Sequence, residues 1–140
     1  ARKHGGHIPQ IVQLIGGAGW HHPSLPVRGG PAVQGALIVD DFAGEQGGDA
    51  AAQLVEAFGQ RAHRLPSTAA AQAYDAAALI ASARAEIAAS HDPRAALRGA
   101  LAHARIADGA CGPAAIGADG ELTRVPAVLE VQGDDLVLVP

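Results

Sequence analysis

The sequence predicts an α/β fold, strands and three helices followed by a C-terminal antiparallel hairpin region, and three observations predict it. Two short apolar runs, IPQIVQLI at 8–15 and ALIV at 36–39, are bounded by glycines or by the Asp40-Asp41 pair, as buried strands are. Three alanine-rich segments between residues 50 and 104 repeat their apolar positions at helical spacing. After Gly112 the apolar runs shorten and alternate with the turn pairs Asp119-Gly120 and Gly133-Asp134. Strands, then helices, then paired short strands make an α/β pattern with an antiparallel ending.

Residues 8–15 read as a buried strand that empties into the GGAG loop at 16–19. The following WHHPSLPVRGGP reads as loop, because Pro23, Pro26 and Pro31 lack backbone donors and fix φ, so no helix is expected to begin there. Ala36 to Val39 reads as the second buried strand. Asp49 is a candidate N-cap for a helix over 50–62, where Leu54, Phe58 and Ala62 recur every four residues with Val55 beside them. Pro66 ends that segment. Ser67 or Thr68 can cap the next helix, in which Ala76, Leu79, Ile80, Ala83 and Ile87 form one apolar face. Asp92 and Pro93 form a cap and first-turn pair for a third helix carrying Leu97, Ala100, Leu101 and Ala104, closed by Gly109. The two Asp/Gly pairs then supply the positive φ that tight hairpin turns demand, which makes Asp134 and Asp135 turn residues. There is no internal repeat and no tract of disordered composition.

A chain of 140 residues suits one domain. Its hydrophobic content of 49% overstates the core, since about a quarter of the residues are alanine, which buries little area. Large aromatic area comes only from Trp20, Phe42, Phe58 and Tyr74. The formal net charge of −4 comes with scattered Lys and Arg, so no basic stripe exists to neutralise a phosphate backbone, and nucleic acid is excluded as an expected partner. No apolar run approaches the roughly 20 residues needed to span a bilayer. The charged opening before HGGH does not read as an export signal, and Ala1 reads as a cut inside a longer protein. One cysteine, Cys111, cannot form an internal disulfide.

The candidate chemistries are sparse. His4, His7, His21 and His22 invite a metal, but they sit on flanking loops without the close pair on a regular element that a zinc site uses, so no metal is expected. His63, His91 and His103 fall near helix ends and read as surface residues there. Cys111 in GACGP and Ser24 in HHPS lack any signature of activation, and packing is the expected role of Cys111. Asp40 and Asp41 are adjacent on a strand end and face opposite ways, which rules them out as an acid/base couple. Tyr74 is expected to pack on the sheet with its hydroxyl bonded to backbone, and Asp75 to favour the helix dipole. GGAG does not match a dinucleotide loop, so no cofactor is expected. Gly16, Gly17 and Gly19 either permit a sharp turn or open a pocket, and Trp20 either walls that pocket or caps the core.

Several segments together resemble the closing part of type I periplasmic binding proteins. QLIGGAGW (13–20) is similar to the strand and pocket loop of the second lobe, and GALIVDDF (35–42) to the crossover. AQAYDAAALI (71–80) is similar to the helix returning to the first lobe, and GACGPAAIGADGEL (109–122) to the hairpin after it. VLEVQGDDLVLV (128–139) resembles the tail that goes back to the second lobe. The resemblance implies that residues 1–140 form a C-terminal fragment of one two-lobed domain, contributing to both lobes. It implies a non-catalytic, periplasmic or envelope-associated receptor that binds a small molecule between its lobes, as the solute receptor of an ABC-type uptake system.

By position in that family, Gly17, Ala18, Gly19 and Trp20 would line the second-lobe side of the ligand cleft, and Tyr74 with the residues before it the first-lobe side. The GGAG loop lacks the carboxylate with which amino-acid receptors of the family pair the ligand ammonium, which argues against a free α-amino acid. The aromatic that often precedes the Tyr is replaced by Ala69 to Ala71. The alternative implied by the same fold is an envelope lipoprotein that regulates peptidoglycan synthases through protein contacts, as penicillin-binding protein activators do. A small metal-dependent enzyme ranks last. A fragment spanning both lobes is expected to dimerise or to hold the missing N-terminal part.

Overall fold

The computed structural model describes residues 12–140, so His4, His7 and the start of the first predicted strand lie outside the described residues. The main sheet has four strands in the order β1 (Ile15–Gly16), β2 (Leu37–Asp40), β6 (Ala127–Gln132) and β7 (Asp135–Leu138). β1 runs parallel to β2, and the other two pairings are antiparallel. The expected buried strand at 8–15 is, over the described residues, a two-residue edge strand. Among the described residues it pairs only with β2; Leu14, just before it, packs against the core, while Val12 and Ile15 are exposed. β2 also departs from the expected continuous burial: Ala36, Ile38 and Asp40 are buried while Val39 is exposed. That alternation belongs to a sheet with one covered face.

The predicted loop at 20–31 contains a helix, α1 (Ser24–Gly29), which corrects the expectation that proline forbids one. Pro23 is the cap and Pro26 the third helical residue. First-turn N–H groups have no intrahelical acceptor, so a proline there loses no hydrogen bond. Pro31 follows in a 3-10 turn over Gly30–Val33. α2 (Asp49–Ala62) is capped by Gly48 at φ 108°, not by Asp49, which lies in the first turn and makes no capping bond. It buries Ala51, Leu54 and Val55, with Phe58 half-buried against them, whereas Ala62 is exposed.

Ser67 does cap α3 (Thr68–Ser82), its hydroxyl accepting from the Ala70 N–H. The long apolar face expected through Ile87 is not what the helix buries. α3 ends at Ser82, and α4 (Arg84–Ala89) follows after Ala83. The covered row is Ala71, Asp75 and Ala83, with Leu79 half-buried between them, while Ala76 and Ile80 are exposed. The aspartate in that row has buried partners, described below, and these set the helix rotation against its alanine pattern. α5 (Pro93–Leu101) begins as expected, with the Asp92 carboxylate accepting from the N–H groups of Arg94 and Ala95. It stops at Leu101, short of Gly109, because β3 (Arg105–Ile106) starts a second sheet with β4 (Ala114–Ile116) and β5 (Leu122–Arg124).

Both expected hairpins form, with Gly120 at φ 83° and Gly133 at φ 63° in their turns. The run after Asp119-Gly120 divides at Val125-Pro126, so β5 and β6 serve different sheets. Two apolar clusters hold the described residues together. One packs α2 against Phe42, Ala71, Ala110 and Cys111. The other packs Ile38 and Ala43 against Leu129 and Val131. Phe42 and Ala43 are adjacent yet enter different clusters, so the segment leaving β2 joins the two. Among the described residues no helix is long and apolar enough to cross a membrane.

Candidate functional site

A cavity of about 670 Å³ opens where four segments converge: the loop after β1, the exit of β2, the N-terminus of α3 and the turn between β6 and β7. β1 and β2 are parallel, and the part of the cavity lined by Ala18, Gly19, His21 and Phe42 lies beyond their C-terminal ends, where ligands bind in open α/β sheets. The part lined by Asp134 and Asp135 reaches the opposite end of the sheet, where Gly133 meets Gln34 before β2. Phe42, Val55, Leu65, Leu129 and Leu136 give it apolar walls. Its polar lining comes from His21, Ser67 and Thr68 and from Glu45, Gln46, Asp134 and Asp135.

The buried Asp40 carboxylate organises the first polar group. Its Oδ2 accepts from the Thr68 hydroxyl at 2.7 Å and meets His21 Nδ1 at 2.6 Å, while Oδ1 accepts from the Asp41 N–H at 2.7 Å. The ring of His21 also lies 6.4 Å from that of Phe42, tilted by 43°. Asp41 turns away, as expected for neighbours on a strand end, and its carboxylate accepts from the Gln72 side chain at 2.9 Å. The sequence reading missed this cluster. Residues 21, 40 and 68 share no motif spacing, and only the place of Asp40 at the end of a strand hinted at a role.

The residues singled out from sequence do not converge on one wall. Ala18 and Gly19 line the cavity. Gly17 sits just before them, its carbonyl accepting from the Trp20 N–H at 2.9 Å, and is not part of the lining. Trp20 lies over Gly16, where a Cβ would come within 2.4 Å of the indole, so glycine at 16 is what lets the ring settle. The indole is 39% exposed and faces a smaller hollow of about 310 Å³ with His22, Ser24 and Arg28. Tyr74 lies further along α3, lines neither hollow and is 44% exposed. Its expected packing on the sheet is therefore corrected: Asp75, one residue on, takes the inward position, and a helix cannot turn both neighbours to the same face.

Asp75 does more than the helix-dipole role expected of it. Its carboxylate, 2% exposed, accepts the N–H groups of Ala110 at 2.7 Å and Cys111 at 3.0 Å, with the Arg124 guanidinium at 3.5 Å. It thereby fastens the Gly109–Gly112 turn to α3. Burial, reinforced by the Asp75 carboxylate and opposed by Arg124, pushes the Cys111 thiol up from 9.0 to about 11. A thiol so placed stays protonated and packs, as the sequence implied. Ser24 reaches His22 Nδ1 at 2.8 Å in an exposed pair that includes no carboxylate. No group of three or more potential metal ligands occurs among the described residues.

Residues 1–135 match the sequence profile described as periplasmic binding protein. No curated protein matches the chain. Among solved structures, a Rhodospirillum rubrum protein assigned as a branched-chain amino acid ABC transporter superposes with a TM-score of 0.79 at 21% identity, over 94% of this chain and 38% of that one. A solute-binding protein of an ABC transporter from Rhodopseudomonas palustris, in complex with 3,4-dihydroxybenzoic acid, has a TM-score of 0.72 at 17% identity, over 91% of this chain and 36% of that one. A leucine-binding protein from Thermotoga maritima has a TM-score of 0.67 at 23% identity, over 90% and 36%. The chain thus spans less than two fifths of the length of the structures it resembles and shares their fold over nearly all of its own. With the profile covering almost its full length, the chain belongs to the type I periplasmic binding protein family.

Proposed function

We propose that this chain is the C-terminal portion of a non-catalytic, extracytoplasmic solute receptor of an ABC-type uptake system, contributing to both lobes of its domain. The observation that carries the reading is the cavity of about 670 Å³ that runs from the C-terminal ends of β1 and β2 to the β6–β7 turn, apolar in its walls and polar at a few points. That is the form of a small-molecule site. Family membership supports the same role, and so does the likeness of fold to solute-binding proteins. In this reading Ala18 and Gly19 line one side of the cleft, with Gly17 and Trp20 beside them on the same loop. Tyr74, exposed on α3, stands on the other, available to a facing lobe. The alternative of an envelope regulator acting through protein contacts gains nothing from the structures named above.

The test is a native mass spectrum of the purified protein, repeated after denaturation, with a thermal-shift screen of amino acids, aromatic acids, amines, alcohols and sugars. Release of a small organic molecule, or stabilisation by one solute class, is the expected result. A ligand-free oligomer, or a complex with another polypeptide, together with a silent screen, would overturn the receptor reading in favour of the regulator.

A further inference from the structure

The His21–Asp40–Thr68 cluster says which hydrogen-bonding sense the cavity presents. Both carboxylate oxygens of Asp40 already accept: Oδ1 from the Asp41 N–H and Oδ2 from the Thr68 hydroxyl. An ionised carboxylate can only accept, so at its 2.6 Å contact with His21 the Nδ1 is the donor. In the neutral ring this leaves Nε2 without a proton, as an acceptor. Nε2 makes no hydrogen bond to another described residue, yet no buried polar side-chain atom among them lacks a partner. It is therefore open, on a ring that lines the cavity.

Glu45, Asp134 and Asp135 add only acceptors to the lining, the Gln46 amide is spent on the β7 backbone, Ser67 adds a hydroxyl that can accept or donate, and no Lys or Arg lines it. The backing of His21 is firm, since Asp40 is 3% exposed and tied from two further directions.

We propose that His21 is a ligand-contacting residue whose Nε2, held as an acceptor by Asp40, selects solutes that carry a hydroxyl or protonated amine on an apolar body. Asp40 is the positioning residue behind it, and Thr68 keeps Asp40 in place. The inference rests on the receptor reading above and specifies what the cavity takes.

Two measurements on the full chain test it. In a long-range ¹H–¹⁵N spectrum at about pH 8, where an ordinary histidine is neutral, His21 should show a protonated Nδ1 and a bare Nε2. Its signals are assigned by their loss in His21→Gln. The reverse tautomer, or a doubly protonated ring, overturns the proposal. Asp40→Asn should blur the preference into a tautomer mixture, a change that a purely structural role for Asp40 would not produce.

Binding is then compared for 3-methylbutylamine, 3-methylbutanol and 3-methylbutanoate, which share a skeleton and differ in their polar end. The amine and alcohol should bind about tenfold or more tightly than the carboxylate. His21→Phe, which keeps ring bulk, should erase most of that ratio, and His21→Gln should keep part of it. Far-ultraviolet circular dichroism checks that each variant is folded. A carboxylate that binds best, or a ratio that His21→Phe leaves intact, overturns the inference while the receptor reading stands. Failure of all three probes also overturns it, and the solute screen described above then decides the receptor reading separately.

Discussion

Asp40 and Asp75 are the two buried carboxylates among the described residues, and they hold different kinds of partner. Asp75 sits beneath a turn and takes two backbone N–H groups and a guanidinium, all themselves enclosed. Asp40 sits beside a cavity and takes one backbone N–H and two side chains, His21 and Thr68, which border open space. A carboxylate that satisfies main-chain donors fixes the path of the chain. One that orients side chains facing a cavity fixes what those side chains offer to a ligand. The contrast separates scaffold from site on geometry alone.

Removing each carboxylate should expose the difference. Asp75→Ala leaves two N–H groups and Arg124 without their acceptor in a closed region and should cost about 3–5 kcal/mol, read from urea unfolding. A loss near 1 kcal/mol would erase the distinction between the two sites. Gly109→Ala tests how tightly the Asp75 region is closed. Its Cβ would lie 2.8 Å from the Gly112 carbonyl oxygen and 3.0 Å from Asp75 Oδ1, and a cost of about 1–3 kcal/mol in the same assay is expected. Asp40→Ala should cost less than Asp75→Ala, about 1–2 kcal/mol, because His21 and Thr68 can turn toward the cavity and find water. Thr68→Val removes one of the hydrogen bonds to Asp40 and should cost about 1 kcal/mol or less, with the His21 contact retained in the ring spectrum.

A further effect, in the closed Asp75 region, concerns pH. The Cys111 thiol ionises near 9.0 when freed by unfolding and at about 11 in the folded chain. The unfolded state therefore loses its proton first, and stability is full below 9.0 and declines as pH rises toward about 11. Unfolding midpoints taken across that range should fall, and the part of the fall due to the thiol should vanish in Cys111→Ala. Alkylation of Cys111 in the folded chain should also be slow at neutral pH, since little thiolate is present.

Much of the fold was legible where the signal is local. Ser67 and Asp92 are caps because their side chains reach N–H groups two or three residues on. The hairpins at Gly120 and Gly133 follow from the positive φ that glycine accepts. Where reading failed, a distant partner had overruled the local pattern. α1 begins among prolines because Pro26 falls in the one turn of a helix that tolerates it. α3 buries Asp75 and exposes Ala76 and Ile80 because Ala110, Cys111 and Arg124 wait on that side. Tyr74 faces outward for the same reason.

The site divides in the same way. The Gly16–Gly19 loop stood out in the sequence as either a sharp turn or the opening of a pocket, and Ala18 and Gly19 do line the cavity. His21, Asp40 and Thr68 did not stand out together, since 19 residues separate the first pair and 28 the second. By itself the sequence determined the caps, the turns, the α/β order and the family likeness, because each of these rests on short-range sterics or on motifs contiguous in the chain. Only the tertiary structure decided which face of α3 turns inward, which aspartate is scaffold and which nitrogen of His21 meets Asp40, because those depend on groups brought together across the fold.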